Sequence, residues 1–230
     1  MTGLAFALDH EAAGIARLMT GAPVESFRLG EMPCRVGEIG GKQVALCIVG
    51  MGASTAERRA GLIAQHFDLE VLVLAGYAGA LVPAWKRNAV AVAENYLSPE
   101  AAPWAGALPR AKLFSAPAVA GTPDARAALA TQGYELVDME TAAVAAGLAG
   151  RIPLLPLRAV SDELGDVLPT AALAASFDME TQRPNAVKLL ARLATHPGEI
   201  APFFRFVSHL GPAREALTAS LRALLETAAA

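Results

Sequence analysis

Short apolar runs, each bounded by Gly, Pro or charge, alternate along this 230-residue chain with Ala-rich stretches of helical period. The runs predict strands over Leu4–Leu8, Arg35–Ile39, Gln43–Val49, Val71–Ala75, Ala89–Ala93, Leu136–Val137 and Leu154–Val160. Helices are predicted over Glu11–Met19, Thr55–His66, Pro123–Thr131, Thr141–Ala149, Pro184–Ala194 and Pro212–Thr227. In Thr55–His66 the residues Ala56, Ala60 and Ile63 share one side, with Glu57, Arg58 and Gln65 elsewhere. Apolar strands interleaved with helices need cover on both faces, which predicts an α/β fold with a mostly parallel central sheet. The runs either side of Gly40-Gly41 read as a hairpin, so the sheet is expected to be mixed. No composition shift marks a boundary, and residues 1–230 are read as one domain. From about His196 onward an aromatic-rich turn, Pro202-Phe203-Phe204-Arg205-Phe206, precedes the last helix. It is read as an appended helical tail packing on the domain or on a second subunit.

Composition excludes several classes. With 54% hydrophobic and 18% charged residues the chain is too apolar for a disordered one, and a net charge of -3 offers no footprint for nucleic acid. No uncharged apolar run approaches the roughly 20 residues of a membrane-spanning helix. The N-terminus meets Asp9 and Glu11 early and has no basic segment, which argues against a signal peptide and for a cytoplasmic protein. Cys47 lies in an apolar run and Cys34 follows a proline in an expected turn, so no disulfide framework is implied. His10, His66, His196 and His209 are scattered, and neither a metal-ligand spacing nor a Gly-x-Ser-x-Gly elbow occurs. No metal and no cofactor are expected.

In an open α/β sheet, ligands bind where strands end and helices begin. Polar or glycine residues mark such junctions at Ala7–Glu11, Val49–Thr55, Ala75–Ala80, Val137–Thr141 and Arg158–Glu163. At Val137-Asp138-Met139-Glu140-Thr141 a strand end sets Glu140 near a helix N-terminus, where the dipole favours an ionised carboxylate able to accept bonds from sugar hydroxyls. A helix cap from Asp138 or Glu140 is the simpler local reading. The same tetrapeptide, Asp-Met-Glu-Thr, recurs at 178–181. Ser161-Asp162 closes an apolar strand, where a general acid would be displayed, although a turn explains it as simply. Gly50-Met51-Gly52 and Gly76-Tyr77-Ala78-Gly79 follow strands and let a backbone approach a sugar or an anion. Glu11 opens a helix, an ordinary place for an exposed acid.

Taken in this order, these segments resemble the nucleoside phosphorylase superfamily, closest to its methylthioadenosine/S-adenosylhomocysteine nucleosidase and futalosine hydrolase branch. The specific part is Val-Asp-Met-Glu-Thr-Ala-Ala-Val at 137–144 followed by Arg-Ala-Val-Ser-Asp at 158–162. The resemblance implies N-glycosidic cleavage of a nucleoside, by water or by inorganic phosphate as co-substrate, in a homo-oligomer. It implies that Glu140 bonds the ribose hydroxyls while Met139 packs on the sugar. Asp162, beside Ser161, would protonate a purine N7, holding its proton nearer neutrality than an ordinary carboxyl does. Glu11 would manage the attacking water, and Gly76, Tyr77, Ala78 and Gly79 would line the sugar side.

Departures from the pattern accompany it. Phosphorolytic members carry an arginine and a serine where this chain has Leu74 and Tyr77, which favours water as nucleophile. Gly50, Gly52 and Arg58, with Arg59 beside it, are the remaining candidates for an anion site. The base-stacking aromatic of the branch is matched by Val119. The tail, through Arg183-Pro184, Leu189-Leu190 and His196-Pro197, resembles that of hopanoid-associated phosphorylases, which remove adenine from an adenosyl lipid. Phe203, Phe204 and Phe206 suit such a substrate, and equally an oligomer interface. Two other readings stand: a nucleoside-binding regulator whose pocket Tyr77 and Val119 blunt, and an unrelated flavodoxin-like or dinucleotide-binding protein. The latter requires that Glu11, Glu140 and Asp162 do not face one cavity.

Overall fold

In the computed structural model, which describes residues 1–227 less the side chains of 21–23, the predicted alternation is realised as a ten-stranded mixed sheet. Strand β1 (Thr2–Phe6) leads through α1 (Asp9–Ala16) to a meander of β2 (Thr20–Leu29), β3 (Met32–Ile39) and β4 (Lys42–Ile48). Helix α2 (Ala53–His66) returns the chain to β5 (Val71–Ala80), followed by β6 (Val90–Ala93), α3 (Ala102–Ala105), β7 (Arg110–Ala111) and β8 (Leu113–Ser115). Then come α4 (Pro123–Ala130), β9 (Leu136–Asp138), α5 (Thr141–Leu148) and β10 (Leu154–Asp162). The remainder is α6 (Thr170–Ser176), a short hairpin of β11 (Phe177–Asp178) and β12 (Arg183–Pro184), α7 (Ala186–Thr195) and α8 (Ile200–Thr227).

The strand path is β2-β3-β4-β1-β5-β10-β6-β7, with β9 pairing β5 and β8. Its centre, β4-β1-β5-β10, is parallel, and antiparallel pairs lie to either side. Side chains alternate across each strand. Leu4, Phe6, Val71 and Val73 therefore bury against α1 and α8, joining Ile15, Leu217 and Leu221. Ala5, Leu72 and Leu74 face α2 and α5, joining Ala56, Ala60, Ile63 and Val144. The amphipathic reading of α2 is thus borne out, and burying Ile63 alone is worth roughly 1.5–3 kcal/mol.

Several expectations are corrected. Strand β2 is absent from the sequence reading because polar residues interrupt Thr20–Leu29; its antiparallel register with β3 decides it. Cys34 sits in β3, opposite Cys47 of β4, rather than in a turn. Both cysteines are buried and free. Strand β5 does not end at Ala75 but runs through the glycine segment to Ala80, because β10 and β9 supply partners as far as Gly79 and Ala80. The aromatic segment 202–206 is the start of a 28-residue helix, and Pro212 lies inside it. Helix α8 packs on β10 and α1, so the tail is integral to the sheet's cover; its last residues, 228–230, lie outside the described ones. Among the described residues, no helix is long and apolar enough to cross a membrane.

Candidate active site

The carboxyl ends of β1, β4, β5 and β10 open into one cavity of about 750 Å³, roofed by the segments from α6 to α8. Glu11, Glu140 and Asp162 all line it, as do Met139, Ser161, Tyr77, Ala78, Gly79, Val119 and Gly50. Three acids separated by 129 and 22 positions are thereby brought to one space, which removes the unrelated-fold reading.

Glu11 stands in the first turn of α1. One carboxylate oxygen takes the Leu8 N–H at 2.9 Å, a helix-capping contact, while the other takes the Tyr77 N–H on β5 at 3.3 Å. It is therefore both a cap and a bridge between two strand ends. Burial, only partly offset by these bonds and by Arg158, pushes its carboxyl up to about 7.

The helix-cap reading of 138–140 divides between two residues. Asp138 is the cap: it accepts from the Thr141 N–H at 3.1 Å and from the Thr141 hydroxyl. It is also held by Arg158, through Nε at 3.0 Å and a terminal nitrogen at 2.8 Å. Arg158 in turn donates to the Leu74 carbonyl at 2.8 Å, tying the β9–α5 junction to β5. Glu140, two residues on, makes no side-chain cap and faces the cavity. The expectation that the helix dipole keeps it ionised is corrected. Burial first, then the charges of Asp138 and Glu11, push it up to about 8. Dipole stabilisation is limited to the order of 1 kcal/mol, less than the cost of desolvating a carboxylate among like charges.

Asp162 is 4% exposed at the end of β10. Its Oδ1 accepts from Ser161 Oγ at 2.7 Å, and its Oδ2 accepts from Arg126. Both oxygens are thus held by neighbouring side chains. Arg126, 1% exposed on α4, also donates to the Ala120 and Glu163 carbonyls at 2.8 Å each. It was missed because a lone arginine in an Ala-rich helix reads as a solvated face. Only the fold turns it inward.

The glycine segment owes its composition to these acids. A Cβ on Gly76 would lie 3.2 Å from Glu11 Oε1, and one on Gly79 would lie 2.7 Å from Asp162 Oδ2. Gly76 itself does not line the cavity, and neither does Gly52 or Arg58. Arg58 is exposed and faces Glu31 at 4.0 Å; its neighbour Arg59 points inward instead. Tyr77 does not fill the cavity. Its ring forms part of the wall, tilted against His10, and its hydroxyl donates to the Leu210 carbonyl of α8 at 3.2 Å. Val119, 40% exposed, lies at the rim. Of the three aromatics named in the tail, Phe203 and Phe206 line the cavity and Phe204 does not.

Residues 2–109 match the family model described as the Phosphorylase superfamily. The solved structures extend the likeness to 98% of the chain. Native futalosine hydrolase of Helicobacter pylori strain 26695 superposes with a TM-score of 0.72 at 17% identity, over 98% of this chain and 97% of that one. The fold is shared with that hydrolase over nearly the whole chain. The Helicobacter pylori 5'-methylthioadenosine/S-adenosylhomocysteine nucleosidase with butyl-thio-DADMe-Immucillin-A gives 0.73 at 17% identity, over 98% and 97% of the two chains. Its Neisseria meningitidis counterpart with methylthio-immucillin-A gives 0.69 at 16%, over 98% of each. No curated protein matches the sequence. The family match stops short of Glu140 and Asp162, so these two acids are located by structure alone.

Proposed function

We propose that this protein cleaves the N-glycosidic bond of a purine nucleoside. The observation that carries the reading is the convergence of Glu11, Glu140 and Asp162 on one cavity at the strand ends. Cleavage breaks the bond between C1′ and the base nitrogen, with its electron pair leaving on the base, so positive charge develops on the sugar. Carboxylates held in a water-poor wall stabilise that charge strongly. Glu140, beside Met139, takes the ribose hydroxyls. Asp162, braced by Arg126 and Ser161, takes up a proton from solvent and gives it to a ring nitrogen of the base as the bond's electron pair arrives there, so the base leaves neutral. Glu11, at about 7, is matched to receive a proton from water at neutral pH as the water oxygen bonds to C1′.

Water is favoured over phosphate at C1′ by Leu74, which is buried in the core against α2 and α5. The 5'-methylthioadenosine/S-adenosylhomocysteine nucleosidases solved with methylthio-immucillin-A and with butyl-thio-DADMe-Immucillin-A share this fold. Here Leu173, Leu189, Phe203, Phe206, Val207 and Leu210 give the cavity an apolar wall, which favours an apolar substituent on the sugar. The test is release of base from a panel of nucleosides differing at the 5′ position, in phosphate-free and phosphate-containing buffer. Free sugar as product identifies hydrolysis. Absence of base release from every member of the panel defeats the proposal and favours a binding protein on the same fold.

A further inference from the structure

The roof of the cavity carries apolar side chains on its outside as well as on its underside. Of the nine large apolar residues that stand exposed among the described ones, seven lie between Val167 and Val207. That stretch is the roof: α6, the β11–β12 hairpin, α7 and the start of α8. Single apolar residues scattered over a surface are ordinary, whereas a cluster confined to one region marks a contact surface.

Helical period orders the cluster. In α7, Val187, Leu190, Ala191 and Ala194 are all exposed and stand at i, i+3, i+4 and i+7, one stripe of the helix. Val187 is 79% exposed and Leu190 66%. The opposite side of α7 is already satisfied: Leu193 packs with Ala172 and Phe203 in a small core, and Leu189 lines the cavity. Helix α8 repeats the pattern. Ile200, Phe204 and Val207 are exposed at i, i+4 and i+7, while Phe203 and Phe206 turn inward to the cavity. Phe204, 60% exposed, has no such inward role. Val207 is both exposed and part of the cavity lining, so apolar surface runs unbroken from the outside of the roof to the wall beneath it.

Charge indicates what covers this face. Residues 183–210 hold four Lys or Arg against one acid, Glu199, in a chain whose net charge is -3. Arg192 is paired with Glu199, and Lys188 faces Asp178 at 3.5 Å. Arg183 and Arg205 are exposed and, among the described residues, in no ion pair. Apolar stripes flanked by cations match an anionic lipid surface, the apolar side chains entering among acyl chains and the cations meeting headgroups. Twofold pairing with a second copy would instead set the same positive face against itself.

We infer that the α7–α8 face of the roof docks on an anionic lipid bilayer, lying in its surface. This rests on the nucleoside reading only for what docking achieves. A nucleoside with an apolar substituent then passes from the lipid, by way of Val207, to the cavity without exposing that substituent to water.

The experiment uses the full chain and vesicles of phosphatidylcholine, with and without phosphatidylserine, in a flotation assay. Wild type should float with the phosphatidylserine vesicles. The double variant Leu190→Ser/Phe204→Ser, altered only at exposed side chains, should bind them about tenfold or more weakly. Arg205→Gln should lose about fivefold. Val24→Ser, an exposed apolar position on β2, should bind as wild type does. Wild type that fails to float, or floats equally well in the double variant and in Arg205→Gln, overturns the proposal. Sedimentation without vesicles supplies the alternative: a wild-type dimer that the double variant splits into monomers makes this face an interface between copies, and also overturns it. Base release from a water-soluble nucleoside separates this proposal from the nucleoside reading. It should be unchanged in the double variant, since neither residue lines the cavity. Vesicle binding that depends on Leu190 and Phe204 without any base release would keep the docking face and defeat the nucleoside reading.

Discussion

Arg126 and Asp162 form an ion pair whose side chains are 1% and 5% exposed, joining α4 to the end of β10 across the floor of the cavity. A buried pair of this kind contributes little over a well-packed apolar pair, but breaking it on one side leaves an uncompensated charge. Arg126→Met should therefore cost about 3–5 kcal/mol in urea unfolding. Adding Asp162→Asn to that background should recover part of the loss. Strict additivity of the two substitutions would show that the pair is not coupled.

Gly79 of β5 is the register partner of Asp162 on β10, and the missing Cβ is what lets the carboxylate sit there. Gly79→Ala should push the acid aside by a fraction of an ångström to an ångström. Misplacement on that scale costs up to about 100-fold in rate. The expected outcome is a large fall in kcat for base release, with the melting temperature shifted by only a few degrees. A full-rate variant would take Asp162 out of the reaction.

Glu11 is pushed up to about 7 by burial, so its basic form gains ground as pH passes through neutrality. If it receives the water proton, kcat/KM for hydrolysis should climb between about pH 6 and 8 and level off above. Glu11→Gln should abolish that limb and slow the reaction by about 10²–10⁴-fold. A pH profile that keeps its limb in the variant assigns the titration to another group.

Glu140 gives a stability prediction with the opposite sense to the usual carboxylate. Its folded-state value of about 8 lies above the ordinary 4.5, so the folded chain holds a proton that the unfolded chain has lost. Stability should then fall as pH rises through that window, because ionising the buried acid costs about 1.4 kcal/mol per unit of separation. Against Glu140→Gln, the wild type should lose on the order of 3 kcal/mol from pH 5 to pH 8 in denaturant titrations. Parallel curves for the two proteins would show that Glu140 is ionised throughout.

Much of the architecture was legible along the chain. Hydrophobic period and punctuation are local properties, and they located α2, α5, the hairpin at Gly40-Gly41 and the central strands to within a few residues. Strands that depend on partners were not legible. The polar β2 and the extension of β5 to Ala80 exist because β3, β9 and β10 lie alongside.

The acids Glu11, Glu140 and Asp162 were readable as strand-end carboxylates, a feature of order and spacing. Their protonation and partners were not, because desolvation and ion pairing arise between segments far apart in sequence. So it was that Arg126 turned inward to Asp162, that Arg59 rather than Arg58 entered the cavity, and that Glu140 came to lie among like charges. The sequence by itself determined which residue types stand at the strand mouths. Only the tertiary structure decided which of them are dry and which charges they meet, because the dielectric around a side chain is set by everything folded over it.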